Sequence, residues 1–244
     1  MIISQIKLSN ELATLTVYLP DKSLEMPYAD VKAGVLVLPG GGYGMCSDRE
    51  AEPVALAFVS KGYAAFVLRY TVGRNKNYDF SMPFSDAEEA MKVIYENASE
   101  WGVDKDKIAA VGFSAGGHLC AAISTMGSIK PAASILVYPC ILESTSGILA
   151  FPVPSVDERV DENTPPAFIV AACADELVPI ENSLAYASAL NRANVPFEIH
   201  IYEKGFHGFS LADNTVNPRE SAERCANIKG WFDLCTTWLS KRFE

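Results

Sequence analysis

Hydrophobic residues fall in two patterns that alternate along this chain. Gly34-Val-Leu-Val-Leu38 is a short apolar run closed by Pro39 and glycines. It lacks the length of a buried helix and is predicted as a buried strand. Tyr63 to Tyr70, Ile108 to Phe113, Ala133 to Tyr138, Ala167 to Cys173 and Phe197 to Tyr202 are of strand length and rich in β-branched or aromatic residues. Between these runs the period becomes helical. Ala51, Val54, Ala55, Phe58 and Val59 repeat on one helical face. Ala87, Ala90, Met91, Ile94 and Ala98 do the same, with Ser85 or Asp86 as the expected cap. His118 to Met126 is compatible with a helix, and Ile228, Trp231, Phe232, Cys235, Trp238 and Leu239 form the apolar face of a last one.

Strands that alternate with helices need crossover connections, so the expected fold is α/β, a mainly parallel sheet covered on both faces. The start differs. Ile2 to Leu8 and Leu12 to Leu19 are strand-like with no helical period between them, which predicts an antiparallel pair at the sheet edge. Phe151 to Pro166 carries four prolines and has neither period, so a surface excursion between two strands is expected. Nothing marks a second domain, and residues 1–244 read as one.

Composition narrows the function classes. A chain of 244 residues that is 49% hydrophobic and 20% charged is neither disordered nor fibrous. No stretch approaches the roughly 18 apolar residues of a membrane span. A net charge of −10 repels phosphate backbones and anionic lipid, so neither nucleic acid nor membrane is an expected partner. Met1 to Lys7 has no basic segment followed by an apolar one, so no secretory signal is read and a cytoplasmic location is expected. The six cysteines show neither CxxC pairing nor metal-ligand spacing and read as reduced core residues; no metal or organic cofactor is expected.

The candidate chemistry sits at strand ends. Gly112-Phe-Ser-Ala-Gly-Gly117 is G-x-S-x-G between a strand and a helix-compatible stretch. In that turn a central serine is strained and lifted above the sheet edge, with the following helix N-terminus facing developing negative charge. Ser114 is therefore the candidate nucleophile. Pro39-Gly-Gly-Gly42 follows an earlier strand, and its backbone amides can approach a ligand closely. Phosphate binding is the weaker reading of this loop, because no G-K-[ST] or G-x-G-x-x-G spacing accompanies it.

A serine nucleophile needs a base, and there are three histidines. His118 lies one helical turn beyond Ser114, where its side chain points away, and a core or supporting role is expected. His200 falls within a strand and reads as structural. His207 occupies a glycine-flanked loop after the last strand and is the expected general base. Asp175 follows the strand ending at Cys173 and is the expected orienting acid, with Glu176 the competitor; Asp157 and Asp161 read as solvated. The order Ser114, Asp175, His207 is that of α/β-hydrolases. Activity that depends on a neutral histidine is expected to fall with pH through the range around ~6.5.

With these residues in hand, the chain resembles the α/β-hydrolase superfamily from about Lys32 to its end. Within it, the sequence is similar to small bacterial carbohydrate esterases of the acetylxylan and feruloyl esterase type, related to the hormone-sensitive-lipase branch. The stretches that carry this are Leu36 to Tyr43, Ser47-Asp-Arg-Glu-Ala51, Trp101 to Asp104, Gly112 to His118, Asp175 to Pro179 and Gly205 to Gly208. The resemblance implies an oxyanion hole formed by the amides of Gly41, Gly42 and Ala115, and hydrolysis of short acyl esters, acetyl foremost, on xylan-derived or other oligosaccharides. Few residues precede the first parallel strand and Pro139 to Pro166 is a modest insertion, so little or no cap domain is expected. Tyr43, Tyr70 and the Ser47 to Glu50 run are expected as walls of the substrate site. One departure is Pro39 where the lipase branch has histidine, so something else must hold that loop. Two rivals stand beside this reading: a serine peptidase of prolyl-oligopeptidase type and a non-catalytic hydrolase-like binding module.

Overall fold

A computed structural model describes residues 1–244. Eight strands form one sheet in the order β1-β2-β4-β3-β5-β6-β7-β8. They are β1 (Ile2–Lys7), β2 (Thr14–Leu19), β3 (Lys32–Leu38), β4 (Ala64–Arg69), β5 (Val103–Phe113), β6 (Ala133–Val137), β7 (Ala167–Ala172) and β8 (Phe197–Tyr202). From β4 to β8 all neighbours are parallel, whereas β2 is antiparallel to both β1 and β4. The expected antiparallel edge pair is present.

Alternation along the strands explains why both faces are covered. In β3, Leu36 and Leu38 face one cluster of buried residues while Val35 and Val37 face another. The first cluster packs under α2 (Ser81–Trp101), α3 (Ala115–Met126) and α4 (Glu181–Arg192). The second packs under α1 (Glu52–Ser60) and α6 (Trp231–Phe243), and a short α5 (Arg219–Arg224) precedes α6. Each fully buried Val, Leu, Ile or Phe contributes about 1.5–3 kcal/mol, so the sheet is the main source of stability. No helix is long and apolar enough to cross a membrane.

Several expectations are corrected. Ser85 and Asp86 do not cap α2, which starts at Ser81; Asp79 Oδ1 accepts the Ser81 N–H at 2.8 Å, and Pro83 sits in the first turn, where its missing N–H costs nothing. Asp86 is instead buried, accepting the Thr71 N–H at 2.7 Å and the Asn10 side-chain amide at 3.0 Å. Ile228 lies before α6, although it packs in the same cluster. The excursion at 151–166 is not wholly a surface feature, since Phe151, Val153 and Val156 are buried. Among the cysteines, all free, Cys173 is exposed and Cys46 half-buried; the other four are buried as expected.

Candidate active site

Parallel strands place their C-terminal ends on one edge of the sheet, which is where the loops after β3, β5, β7 and β8 meet. Ser114 follows β5 with φ 53° and ψ −117°, a strained conformation for a residue with a side chain. The turn is tight because its glycines interlock: a Cβ on Gly112 would lie 2.1 Å from the Gly116 carbonyl oxygen. Ser114 is 7% exposed and opens into a cleft of about 320 Å³ that also receives Gly41, Gly42, Ser47, Arg49, Glu50 and His207.

The three residues expected to act together do meet. His207 Nε2 is 2.8 Å from Ser114 Oγ, and His207 Nδ1 is 2.8 Å from Asp175 Oδ2. Asp175 Oδ1 accepts the N–H groups of Leu177 and Val178, each at 2.9 Å, so the carboxylate is an acceptor throughout. Nδ1 must then carry the imidazole proton, which leaves the Nε2 lone pair for the serine hydroxyl. Glu176 is exposed and takes no part. Cys140 Sγ lies 4.0 Å from Ser114 Oγ, and burial pushes its thiol up to about 12, so it stays protonated.

The glycine loop is held by its carbonyls. Tyr70 OH donates to Pro39 O. The Gly40 oxygen accepts from Ser47 N at 2.9 Å, the Gly41 oxygen from Gly44 N at 3.0 Å and Met45 N at 3.2 Å, and the Gly42 oxygen from Ala150 N at 2.7 Å. Gly40 N–H donates to the buried Glu50 carboxylate at 2.8 Å. Neither Gly41 nor Gly42 N–H has an acceptor in the protein. Ala115 is the first residue of α3, so its N–H has no helical partner either. Gly41 has φ +124°, and a Cβ there would meet the Met45 oxygen at 2.2 Å, so only glycine fits. With proline at position 39, the loop is held by Glu50, Tyr70 and the chain at Ala150.

Tyr43 and Tyr70 do not line the cleft, contrary to expectation: they are 0% and 1% exposed. Tyr43 packs against Phe151, ring centroids 5.0 Å apart, and donates its hydroxyl to His118 Nδ1 at 2.9 Å. His118 Nε2 donates to Pro154 O at 2.9 Å, and burial lowers its pKa to about 4, so this histidine is a neutral support. His200 is half-buried on β8 with Glu198 Oε1 2.7 Å from its Nε2. The cleft mouth is instead formed by Met45, Arg74, Ile148, Leu149, Leu177 and Gly208. Arg74 sits in an irregular segment and Ile148 ends the short 3-10 helix Glu143–Ile148, and no sequence period marks either.

This sheet order, the strained serine turn and the loops gathered at its edge define a class of fold and site, and the chain belongs to the α/β-hydrolase superfamily. Its sequence is 40% identical to MGS-M1, an α/β-hydrolase enzyme from a Medee basin deep-sea metagenome library; the two structures match with a TM-score of 0.91 over 99% of this chain and 98% of that one. A family model described as BD-FAE matches residues 15–135, and one described as the prolyl oligopeptidase family matches residues 151–237. The chain is 33% identical over 226 residues to endo-1,4-beta-xylanase B of Butyrivibrio fibrisolvens, covering 81% of this chain and 36% of that protein. It is 32% identical over 212 residues to acetylxylan esterase of Xylanibacter ruminicola, covering 72% of this chain and 41% of that protein. The chain thus spans well under half the length of these two relatives.

Proposed function

We propose that the protein is a serine esterase that removes short acyl groups, acetyl foremost, from oligosaccharide esters such as those derived from xylan. The observation that carries this reading is the continuous chain Ser114–His207–Asp175 beside the unpaired amides of Gly41, Gly42 and Ala115. Ser114 Oγ attacks the ester carbonyl while His207 Nε2 takes its proton. The carbonyl oxygen becomes an oxyanion and meets the free amides, aimed in advance at the charge that develops. Asp175 holds the imidazole tautomer and offsets the imidazolium. His207 then protonates the departing alcohol, and water, deprotonated by the same nitrogen, releases the acid and restores Ser114.

The substrate class rests on similarity to the acetylxylan esterase and on the cleft. Met45, Ile148 and Leu177 are exposed around its mouth and offer apolar contact to an acyl group or a sugar face. Initial rates on nitrophenyl esters from acetyl to octanoyl, with feruloyl, test the assignment against Ser114→Ala. Highest turnover on acetyl and a loss of at least about 10³-fold in the variant are expected. Full activity in Ser114→Ala overturns the reading. The prolyl oligopeptidase match over residues 151–237 favours a peptidase as the second reading. Faster hydrolysis of aminoacyl amides than of matched esters would establish it. A non-catalytic binding module would leave Ser114 unlabelled by a fluorophosphonate probe.

A further inference from the structure

One buried ionisable group beside Ser114 has no part in the steps above. Glu50 is 3% exposed, closes the short 3-10 turn Asp48–Glu50 and lines the Ser114 cleft. A buried carboxylate is costly unless hydrogen-bonded. Both of its oxygens are engaged: Oε2 accepts the Gly40 N–H at 2.8 Å, and Oε1 accepts the Tyr138 hydroxyl at 2.6 Å. A phenol that donates to Glu50 has only acceptor capacity left, and Ser210 N–H fills it at 3.0 Å. The Tyr138 ring lies edge-on to His207 and Phe209, with centroids at 5.0 and 4.5 Å. One carboxylate therefore links the amide loop after β3 to the segment that carries His207.

Its neighbour reinforces the link. Arg49 Nη1 donates to Gly208 O at 3.2 Å and to Asn217 Oδ1 at 2.9 Å, and Ser210 Oγ donates to Arg49 O at 2.7 Å. There is no spare room: a Cβ on Gly40 would lie 2.6 Å from Glu50 Oε2. The ionisable groups facing Glu50 are Arg49 beside it, Tyr70 after β4, Tyr138 after β6 and His207 after β8. Asp175 faces His207 separately. Burial raises the Glu50 carboxyl above 4.5, against the opposing pull of its two hydrogen bonds, His207 and Arg49.

We infer that Glu50 is a positioning residue: its carboxylate holds the Gly40–Gly42 loop and, through Tyr138, the His207 loop in register, and its charge favours the imidazolium that forms as Ser114 attacks. This rests on the proposed roles of Ser114 and His207. Small displacements of reacting groups cost up to about 100-fold in rate, which sets the scale of the effect.

The experiment compares wild type, Glu50→Gln and Tyr138→Phe, with Ser114→Ala as control. Ester hydrolysis and the rate of fluorophosphonate labelling are followed against pH, and thermal melts report folding. Glu50→Gln is expected to lose about 10- to 100-fold in kcat and in labelling rate while KM changes less than about threefold. Its acid limb should move to lower pH, because a lost negative charge makes the imidazolium harder to form. Tyr138→Phe keeps that charge, so kcat should fall while the limb stays in place. Wild-type kcat and an unmoved limb in a folded Glu50→Gln would reduce Glu50 to a structural carboxylate and overturn the inference. If that variant does not fold, unchanged kcat in Tyr138→Phe overturns it. Labelling or turnover in Ser114→Ala would instead bring down the underlying reading of the site.

Discussion

His118 and His207 show how environment separates two identical side chains. His207 stands at the cleft, with its side chain 15% exposed and a carboxylate on one nitrogen. His118 is fully buried between the Tyr43 hydroxyl and the Pro154 carbonyl, and the pull of that one carbonyl on a positive charge is outweighed by the cost of burying it. Burial holds its pKa at about 4 against an ordinary 6.5. The unfolded chain therefore takes up this proton first as pH falls. Stability due to neutral His118 is complete above 6.5 and is lost between there and about 4, to a total of roughly 3 kcal/mol. Melting temperatures measured from pH 7 to 4 should fall less steeply in His118→Gln than in wild type; parallel curves would contradict this. Asp86 is a second test at this scale. In Asp86→Ala the Thr71 N–H loses its acceptor inside the protein, with an expected cost of about 1–3 kcal/mol in urea unfolding, partly recovered in Asp86→Asn.

Among the elements, the segment between β6 and β7 differs most from its sequence pattern. Its prolines and acids read as solvated loop, yet it lies over the glycine loop. Ala150 N–H ties down Gly42, Phe151 packs on Tyr43, and Asn182 Oδ1 of α4 accepts the N–H groups of Ile141 and Leu142 at 2.8 and 3.0 Å. Phe151→Ala is expected to cost about 3–5 kcal/mol, as other buried phenylalanines do. Because that ring backs the amide loop through Tyr43, kcat should fall as well in protein that remains folded. A destabilised variant with wild-type kcat would show that the segment only covers the core. The 3-10 turn at Asp48–Glu50 is likewise irregular, yet it contacts both the amide loop and the His207 loop.

For the whole molecule, the two buried clusters share the same strands. Leu36 and Val35 are neighbours in β3 but face opposite sides, so neither cluster survives loss of the sheet. We propose on that basis that residues 1–244 unfold as one domain. Trp101 packs against the α2 side, whereas Trp231 and Trp238 belong to the α6 side. Tryptophan emission from Trp101→Phe, which reports only the second side, should coincide in midpoint with far-UV circular dichroism. Separate transitions would mean that the two faces fold independently.

The local pattern determined much of this protein. Strand and helix periods depend on neighbouring residues, so the parallel sheet, its antiparallel edge and the helices α1, α2, α3 and α6 were legible, whereas α4 and α5 were not read from the sequence. Ser114, Asp175 and His207 were legible for a related reason: each follows an apolar run, and parallel strands bring such ends to one edge. What escaped was whatever depends on distant packing. An aromatic beside a glycine loop looks the same in sequence whether it faces substrate or core, and only the fold shows that Tyr43 and Tyr70 point inward. Asp86 carries the sequence marks of a cap, but an acceptor for Thr71 and Asn10 was needed inside. Glu50 lay within a run expected at the site wall, and its hydrogen bonds to Gly40 and Tyr138, 10 and 88 residues away, exist only after β3 and β6 are set in one sheet. Hydrophobic periodicity is written residue by residue, whereas the partners of a buried polar group are chosen by the whole chain.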